Sequence, residues 1–291
     1  MKYRIHFFKE NNRNMDINQL LIFFSNYKEI TTETKGDECY FHYQDNVLNN
    51  SFDFIFSQKS TILDLHKLSP KFLDVKFRFE VDPFIPSFKV KSIFDIVLKL
   101  TKTFDLYIYN YLLRDVYKCS YQALFATYQL FNKAYYRKNR DFLKDFIGIE
   151  ETKLNTILRY QYEIKDLEYY FKDDDILVPE GRFVLDKNST ECLFMIDVVM
   201  NVNTVFPPYL DIIKFEYEGN DYYFDYGIIK EELSKILIYI PGALKDTNQI
   251  NPKKIKKFYK YLVKNLKYSL IIELENITNQ NIIEKISLDK E

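Results

Sequence analysis

"LDVKFRFEVDPFIPSFKVKSIFDIVLKL", Leu73–Leu100, carries two periodicities separated by two prolines. In its first part Val75, Phe77, Phe79 and Val81 alternate with Asp74, Lys76, Arg78 and Glu80. A period of two marks a strand in a sheet with one buried and one wet face. In its last part Val90, Ile93, Phe94, Val97, Leu98 and Leu100 recur at helical spacing. Pro83 fixes its own φ and has no N–H, so the strand ends there. Asp82 is pushed toward extended geometry by the proline that follows it. Ser87 is placed to cap a helix expected from about Val90. Phe84, Ile85 and Phe88 are suited to plug the end of a core. The turn therefore reads as a connector, and without a glycine it builds no phosphate cradle.

Upstream, Tyr3 to Phe8 reads as a strand, and Asp16 caps a short helix over "INQLLIFFSNY". "ECYFHY" and "SFDFIFS" are strands at hairpin separation, and "DLYIYN" follows the long helix as a last strand. The order strand, helix, three strands, helix, strand resembles a ferredoxin-like split arrangement with one strand added. Downstream, "SYQALFATYQLFNKAYY" and "EETKLNTILRYQYEIKDLEYYF" are helical, with Gly148 between them. Two hairpins follow, around "KNST" and "EGN", where Gly219 and Asn220 tolerate positive φ. A helix from about Ile228 to Leu237, a basic helix from Asn251 to Lys267 and a strand at "SLIIELE" complete the chain. The expected class is α+β. It comprises a ferredoxin-like-type N-terminal α/β lobe over 1–112, a helical hairpin as connector over 113–175, and a C-terminal lobe of β-hairpins with two helices over 176–291.

The 291 residues, 47% hydrophobic, suffice for such lobes to have real cores. The 25 tyrosines and 26 phenylalanines exceed ordinary use, as the codon bias of an AT-rich genome would produce. With 41 basic against 42 acidic residues the chain lacks the basic excess of a dedicated nucleic-acid binder. Cys39, Cys119 and Cys192 are too few and too widely spaced for a disulfide framework or a zinc module, which suits a reducing compartment. "MKYRIHFFKENNRN" lacks the apolar run of a signal peptide, and no segment has the length and apolarity of a membrane span. A cytoplasmic protein is expected.

Residues for chemistry are sparse. The six glycines lie too far apart for a Walker loop or a dinucleotide fingerprint, and the nucleophile elbow of hydrolases is missing. No cofactor, catalytic constellation or metal site is expected. Cys39 and His42, three apart in a strand, point to opposite faces. Asp173, Asp174 and Asp175 project in different directions and read as a solvated end of a helix. Asp64, Asp74 and Lys76 have a spacing similar to that of restriction-endonuclease-like nucleases. That resemblance implies carboxylates holding magnesium and a lysine aiding the attacking water. Asp74 and Lys76 are expected on one strand face.

The strongest surface signal is "NPKKIKKFYKYLVKNLK". Ile255, Tyr259, Leu262, Val263 and Leu266 form an apolar stripe, and Lys253, Lys256, Lys257, Lys260, Lys264 and Lys267 crowd the rest. Like charges at this spacing oppose the helix slightly, so packing or an acidic partner must compensate. Arg137 and Arg140, in "YYRKNR", form a second patch with aromatic neighbours able to stack on bases. A third surface is the wet face of the first sheet, with Arg4, His6, Tyr40, His42, Lys76 and Arg78. The expected function is a non-enzymatic protein-binding or adaptor protein with an acidic protein partner, of the toxin-neutralising or defence-accessory type. Nucleic-acid binding through the basic helix is the alternative, and a divergent metal-dependent nuclease the third reading.

Overall fold

In a computed structural model, which describes residues 1–11, 15–45, 47 and 50–285, the chain forms two units of mixed α and β structure. They are Met1–Asp145 and Phe146–Lys285. The first contains β1 (Tyr3–Glu10), α1 (Ile17–Phe24), β2 (Ile30–Lys35), β3 (Glu38–Gln44), β4 (Ser51–Ser57), β5 (Phe72–Val81), α2 (Ser87–Phe104), β6 (Tyr107–Tyr109), β7 (Tyr117–Lys118) and α3 (Tyr121–Lys138). Among the described residues its sheet runs β2-β3-β4-β5-β1-β6-β7, with every neighbouring pair antiparallel. The likeness to a ferredoxin-like arrangement lies in element order. In pairing, β1 sits between β5 and β6 and has no parallel neighbour. Four strands, not three, separate α1 from α2. The additional one is β2, whose sequence ITTETK has no apolar alternation because it is exposed from Thr31 onward.

The alternation of β5 does what its period dictates. Val75, Phe77, Phe79 and Val81 face a core shared with Phe7, Phe41, Phe54, Phe24 of α1, Phe94 of α2 and Phe131 of α3. Phe7 stacks on Phe77 at 5.1 Å and Phe24 on Phe41 at 4.3 Å. Among the described residues most of the buried aromatic side chains are phenylalanines, so the phenylalanine part of the aromatic excess is largely core. One irregularity interrupts β5. Phe8 pairs with Asp74 and His6 with Arg78, which leaves Val75, Lys76 and Phe77 opposite Phe7 alone. Lys76 takes φ 58° in this bulge, and its N–H donates to Asp74 Oδ1 at 2.8 Å. Two extra residues preserve the parity of the strand, so the faces do not exchange.

The proline turn is bound to α3. The hydroxyl of Tyr128 accepts the Ile85 N–H at 2.9 Å and donates to the Asp82 carbonyl at 2.9 Å. The Phe84 N–H donates to Asn132 Oδ1 at 3.3 Å, and the Phe84 ring meets Tyr135 edge-on at 5.6 Å. Helix α2 begins at Ser87, one turn earlier than its apolar spacing suggests. Pro86 takes the cap position, and its carbonyl accepts from Lys89 and Val90. These bonds serve a connector.

The second unit contains β8 (Ile147–Ile149), α4 (Glu151–Tyr170), β9 (Ile176–Leu177), β10 (Arg182–Asp186), β11 (Cys192–Val198), β12 (Asn203–Phe206), β13 (Ile212–Tyr217), β14 (Asn220–Asp225), α5 (Tyr226–Ser234), β15 (Leu237–Tyr239), β16 (Asn248–Ile250), α6 (Ile255–Lys264), β17 (Leu274–Ile277) and β18 (Ile282–Glu284). Helices α3 and α4 of the segment 113–175 thus fall in different units. Residues 286–291 of the expected C-terminal lobe lie outside the described residues. Among those described, the sheets are β14-β13-β11-β10-β17, β15-β16-β12-β9 and β18-β8. The two expected hairpins form, but β11 and β13 are parallel neighbours because β12 leaves for the second sheet. At the β13–β14 turn the positive φ angles belong to Glu218 and Gly219, not to Gly219 and Asn220. Tyr160, Ile164, Leu167 and Phe171 pack against Val178, Val205 and Ile240 in one core of this unit.

Candidate interaction surfaces

The basic segment is less uniform than one long helix. Asn251 Oδ1 accepts the Lys253 N–H at 3.0 Å, a 3-10 turn follows over Pro252–Lys254, then α6, then a second 3-10 turn over Leu266–Tyr268. Its anchor is Phe258, Tyr259 and Leu262, all buried; Ile255, Val263 and Leu266 are only half-buried. Phe258 meets Phe206 of β12 at 5.8 Å, and Tyr259 meets Phe215 of β13 at 5.8 Å. The Tyr259 hydroxyl donates to the Val202 carbonyl at 2.7 Å, and burial pushes its pKa up to about 12. Sequence periodicity missed Phe258 because two adjacent aromatic residues both turn inward.

Lys253, Lys256, Lys257, Lys260, Lys264 and Lys267 are all exposed. Among the described residues none of them forms an ion pair. Lys267 Nζ lies 4.8 Å from the ring centroid of Tyr268. Tyr268 and, three residues on, Ile271 are 66% and 100% exposed. Apolar surface therefore adjoins the lysines.

Arg137 and Arg140 are exposed and belong to the first unit, whereas the lysines belong to the second. Tyr135 is not offered for stacking: its ring packs on Phe84 and on Phe131.

The polar face of the first sheet is a network of paired charges. Arg78, nearly buried, reaches Glu38 and Glu80 at 2.9 Å each and donates to Ser57 Oγ. Arg4 reaches Glu80 at 2.8 Å, His42 Nδ1 lies 2.6 Å from Asp53, and Lys2 is 2.8 Å from the same carboxylate. The hydrogen bond from Arg78, followed by one from Tyr40, holds the Glu38 carboxyl at about 2. Burial, reinforced by Arg4 and Arg78, pushes His6 down to about 3, so its imidazole is neutral at physiological pH. The sequence named the cations of this face and Glu80 but not Glu38 or Asp53, although these two occupy polar positions of their strands. A groove of about 390 Å³ runs between this face, at Lys2, Arg4, His6 and Tyr109, and Thr61–Asp64.

The remaining chemical candidates are dispersed or engaged. Asp74 is buried and caps the bulge, whereas Lys76 is exposed, so they do not present one reactive face. Asp64 is exposed and paired with Lys67 at 3.1 Å. Among the described residues no group of three or more His, Cys, Asp or Glu side chains is placed to hold a metal ion. Burial pushes the Cys119 and Cys192 thiols up to about 11. In a cavity of about 430 Å³ in the second unit, Asp211 is held by Lys153 at 2.9 Å, the Tyr209 hydroxyl and the Phe194 N–H. No helix among the described residues is long and apolar enough to cross a membrane. Comparison with known protein families, curated proteins and solved structures finds no match.

Proposed function

We propose that this chain is a non-enzymatic protein-binding protein that engages an acidic protein surface through the lysine face of α6. The observation that carries this reading is the exposure of six lysines, none in an ion pair among the described residues, four on α6 and two in the turns that flank it, with the segment anchored by Phe258, Tyr259 and Leu262. A fixed cationic face favours fast and oriented encounter with an acidic partner. The adjoining Tyr268 and Ile271 supply the apolar contact that a phosphate backbone would not use. A toxin-neutralising or defence-accessory adaptor is the form of this function that we favour. The cytoplasm suits it, because Cys39, Cys119 and Cys192 are free thiols.

The test is affinity capture from the host at low salt, with half of the lysate treated with nuclease. The same capture is run with Lys256, Lys257 and Lys260 changed to Glu. A protein that survives nuclease and is lost on charge reversal is the expected result. Capture of nucleic acid, with proteins lost after nuclease, would replace this reading with nucleic-acid binding, whose affinity falls steeply with salt.

A further inference from the structure

We propose that β2 is a self-pairing edge: two copies of the chain join antiparallel through their β2 strands, about a twofold axis at Thr32, and continue one sheet into the next. Strand β2 ends the sheet of the first unit. It meets β3 through the two-residue turn Gly36–Asp37, with Lys35 opposite Glu38 and Gly36 at φ 58°. In such a hairpin the residues flanking the turn form a hydrogen-bonded pair, and bonded and unbonded pairs alternate from there. Lys35, Glu33 and Thr31 therefore bond to β3, while Thr34, Thr32 and Ile30 turn their backbone groups outward. Ile30 bears this out, since its N–H donates to the Tyr27 carbonyl at 3.0 Å. Among the described residues no partner takes up the N–H of Thr32 or Thr34.

Sheets usually blunt such an edge with a proline, a bulge or a covering element. Among the described residues strand β2 has no proline, bulge or covering element, only the charges of Glu33 and Lys35, which pair with each other at 2.8 Å. Its register with β3 is unbroken, Thr31 to Lys35 are exposed, and Ile30, Thr31, Thr32 and Thr34 are β-branched. Charge selects both the occupant and the register. With the axis at Thr32, Thr32 bonds to Thr32 of the second copy, and each Thr34 N–H reaches the Ile30 carbonyl of the other. Glu33 then lies opposite Thr31, and Lys35 is brought beside Glu29 of the second copy. An axis at Glu33 makes as many backbone bonds but sets Glu33 against itself, and an axis at Thr34 runs into the Gly36 turn. Such an axis is perpendicular to the sheet, so core face meets core face. On that face α1 covers β3, the strand next to the edge, with Phe24 stacked on Phe41. Its Leu21 and Ile22 are 39% and 68% exposed.

Two short strands bury on the order of 1,000 Å² or less, the size of a weak, exchanging dimer. Sedimentation velocity of the full chain from about 1 to about 200 µM should show a monomer–dimer equilibrium with a dissociation constant on the order of tens of micromolar. Thr32→Pro removes an outward N–H while leaving the β3 bonds, and should weaken the dimer about tenfold or more. Lys35→Glu should weaken it about threefold to tenfold, and Glu29→Lys with Lys35→Glu should restore it. If the hairpin does not tolerate proline, the charge swap decides alone. A chain that stays monomeric throughout, or a dimer indifferent to the Lys35 and Glu29 changes, overturns the proposal.

Discussion

Arg78→Met tests whether the polar face of the first sheet is held by one guanidinium. The Arg78 side chain is 10% exposed, and its partners Glu80 and Glu38 are 12% and 27% exposed. Methionine keeps the length of the stem but leaves Glu38 without its cation and Glu80 with Arg4 alone. Removing one partner of a fully buried pair costs about 3–5 kcal/mol. Glu38 can rehydrate, and Glu80 keeps Arg4 at 2.8 Å, so the lower end, about 3 kcal/mol, is expected. With two units in the chain a single melting temperature would mix two transitions, so amide exchange in β3, β4 and β5 is the better assay. Three kcal/mol corresponds to exchange about a hundredfold faster through global opening of this unit. The pH dependence supplies a second check. Glu38 titrates at about 2 rather than its ordinary 4.5, and Arg78 is the first cause. A depressed carboxylate contributes stability that is full above about pH 4.5 and is lost as pH falls toward 2. The gap between the wild type and the variant should therefore narrow from about pH 6.5 to about pH 3, after correction for intrinsic exchange. Protection unchanged within about threefold at neutral pH, or a gap that widens in acid, would refute the reasoning.

Gly181→Ala should destabilise the second unit by about 2 kcal/mol or more, because φ is 66° and the new methyl would lie 2.3 Å from the Phe194 ring; faster exchange in β10 and β11 would report it. Tyr128→Phe should cost about 1–3 kcal/mol and open the turn at Asp82–Ile85 to limited proteolysis, since one hydroxyl holds both the Ile85 N–H and the Asp82 carbonyl. Cys192 and Cys119 should resist iodoacetamide at about pH 8 and react only as pH approaches their thiol pKa of about 11 or as the fold opens, which mass spectrometry of peptides resolves. Changing Lys256, Lys257 and Lys260 to Glu should leave stability unchanged within about 0.5 kcal/mol or raise it, because each like-charged helical neighbour costs about 0.2–0.5 kcal/mol. A loss of more than about 1 kcal/mol in denaturant titration would show that these lysines serve the fold instead.

Legibility in the sequence followed one-sided burial. β5 and α2 were readable because each buries one face, and that burial writes a period of two or of 3.6 into the chain. β2 was not, since a strand exposed from Thr31 to Lys35 leaves no such trace. The parallel contact of β11 with β13 was equally hidden. The intervening β12 is buried along its length, and nothing local to it says which sheet it joins. Helices α3 and α4 read as one hairpin because sequence adjacency is all a periodicity sees; their cores lie in separate units. The lysine face was legible as composition, and its exposure follows from the inward turn of Phe258, Tyr259 and Leu262. Glu80 was legible on the polar face of β5, but Glu38 and Asp53 were not placed there, because they join that face only through strand pairing.

The same contrast decides which charges call for a partner outside the chain. On the sheet, Arg4, Arg78 and Lys2 meet Glu38, Glu80 and Asp53 at 2.8–2.9 Å, so these charges are paired where the face forms. On α6 the spacing of the lysines brings like charges together, and the segment from Asn251 to Lys267 contains no acidic residue. No ion pair with the described residues relieves them. The anchor residues hold the helix by its inner face, and the like charges on its outer face oppose it slightly. Such a set of like charges accords with the proposed acidic partner, whose approach the lysines would steer.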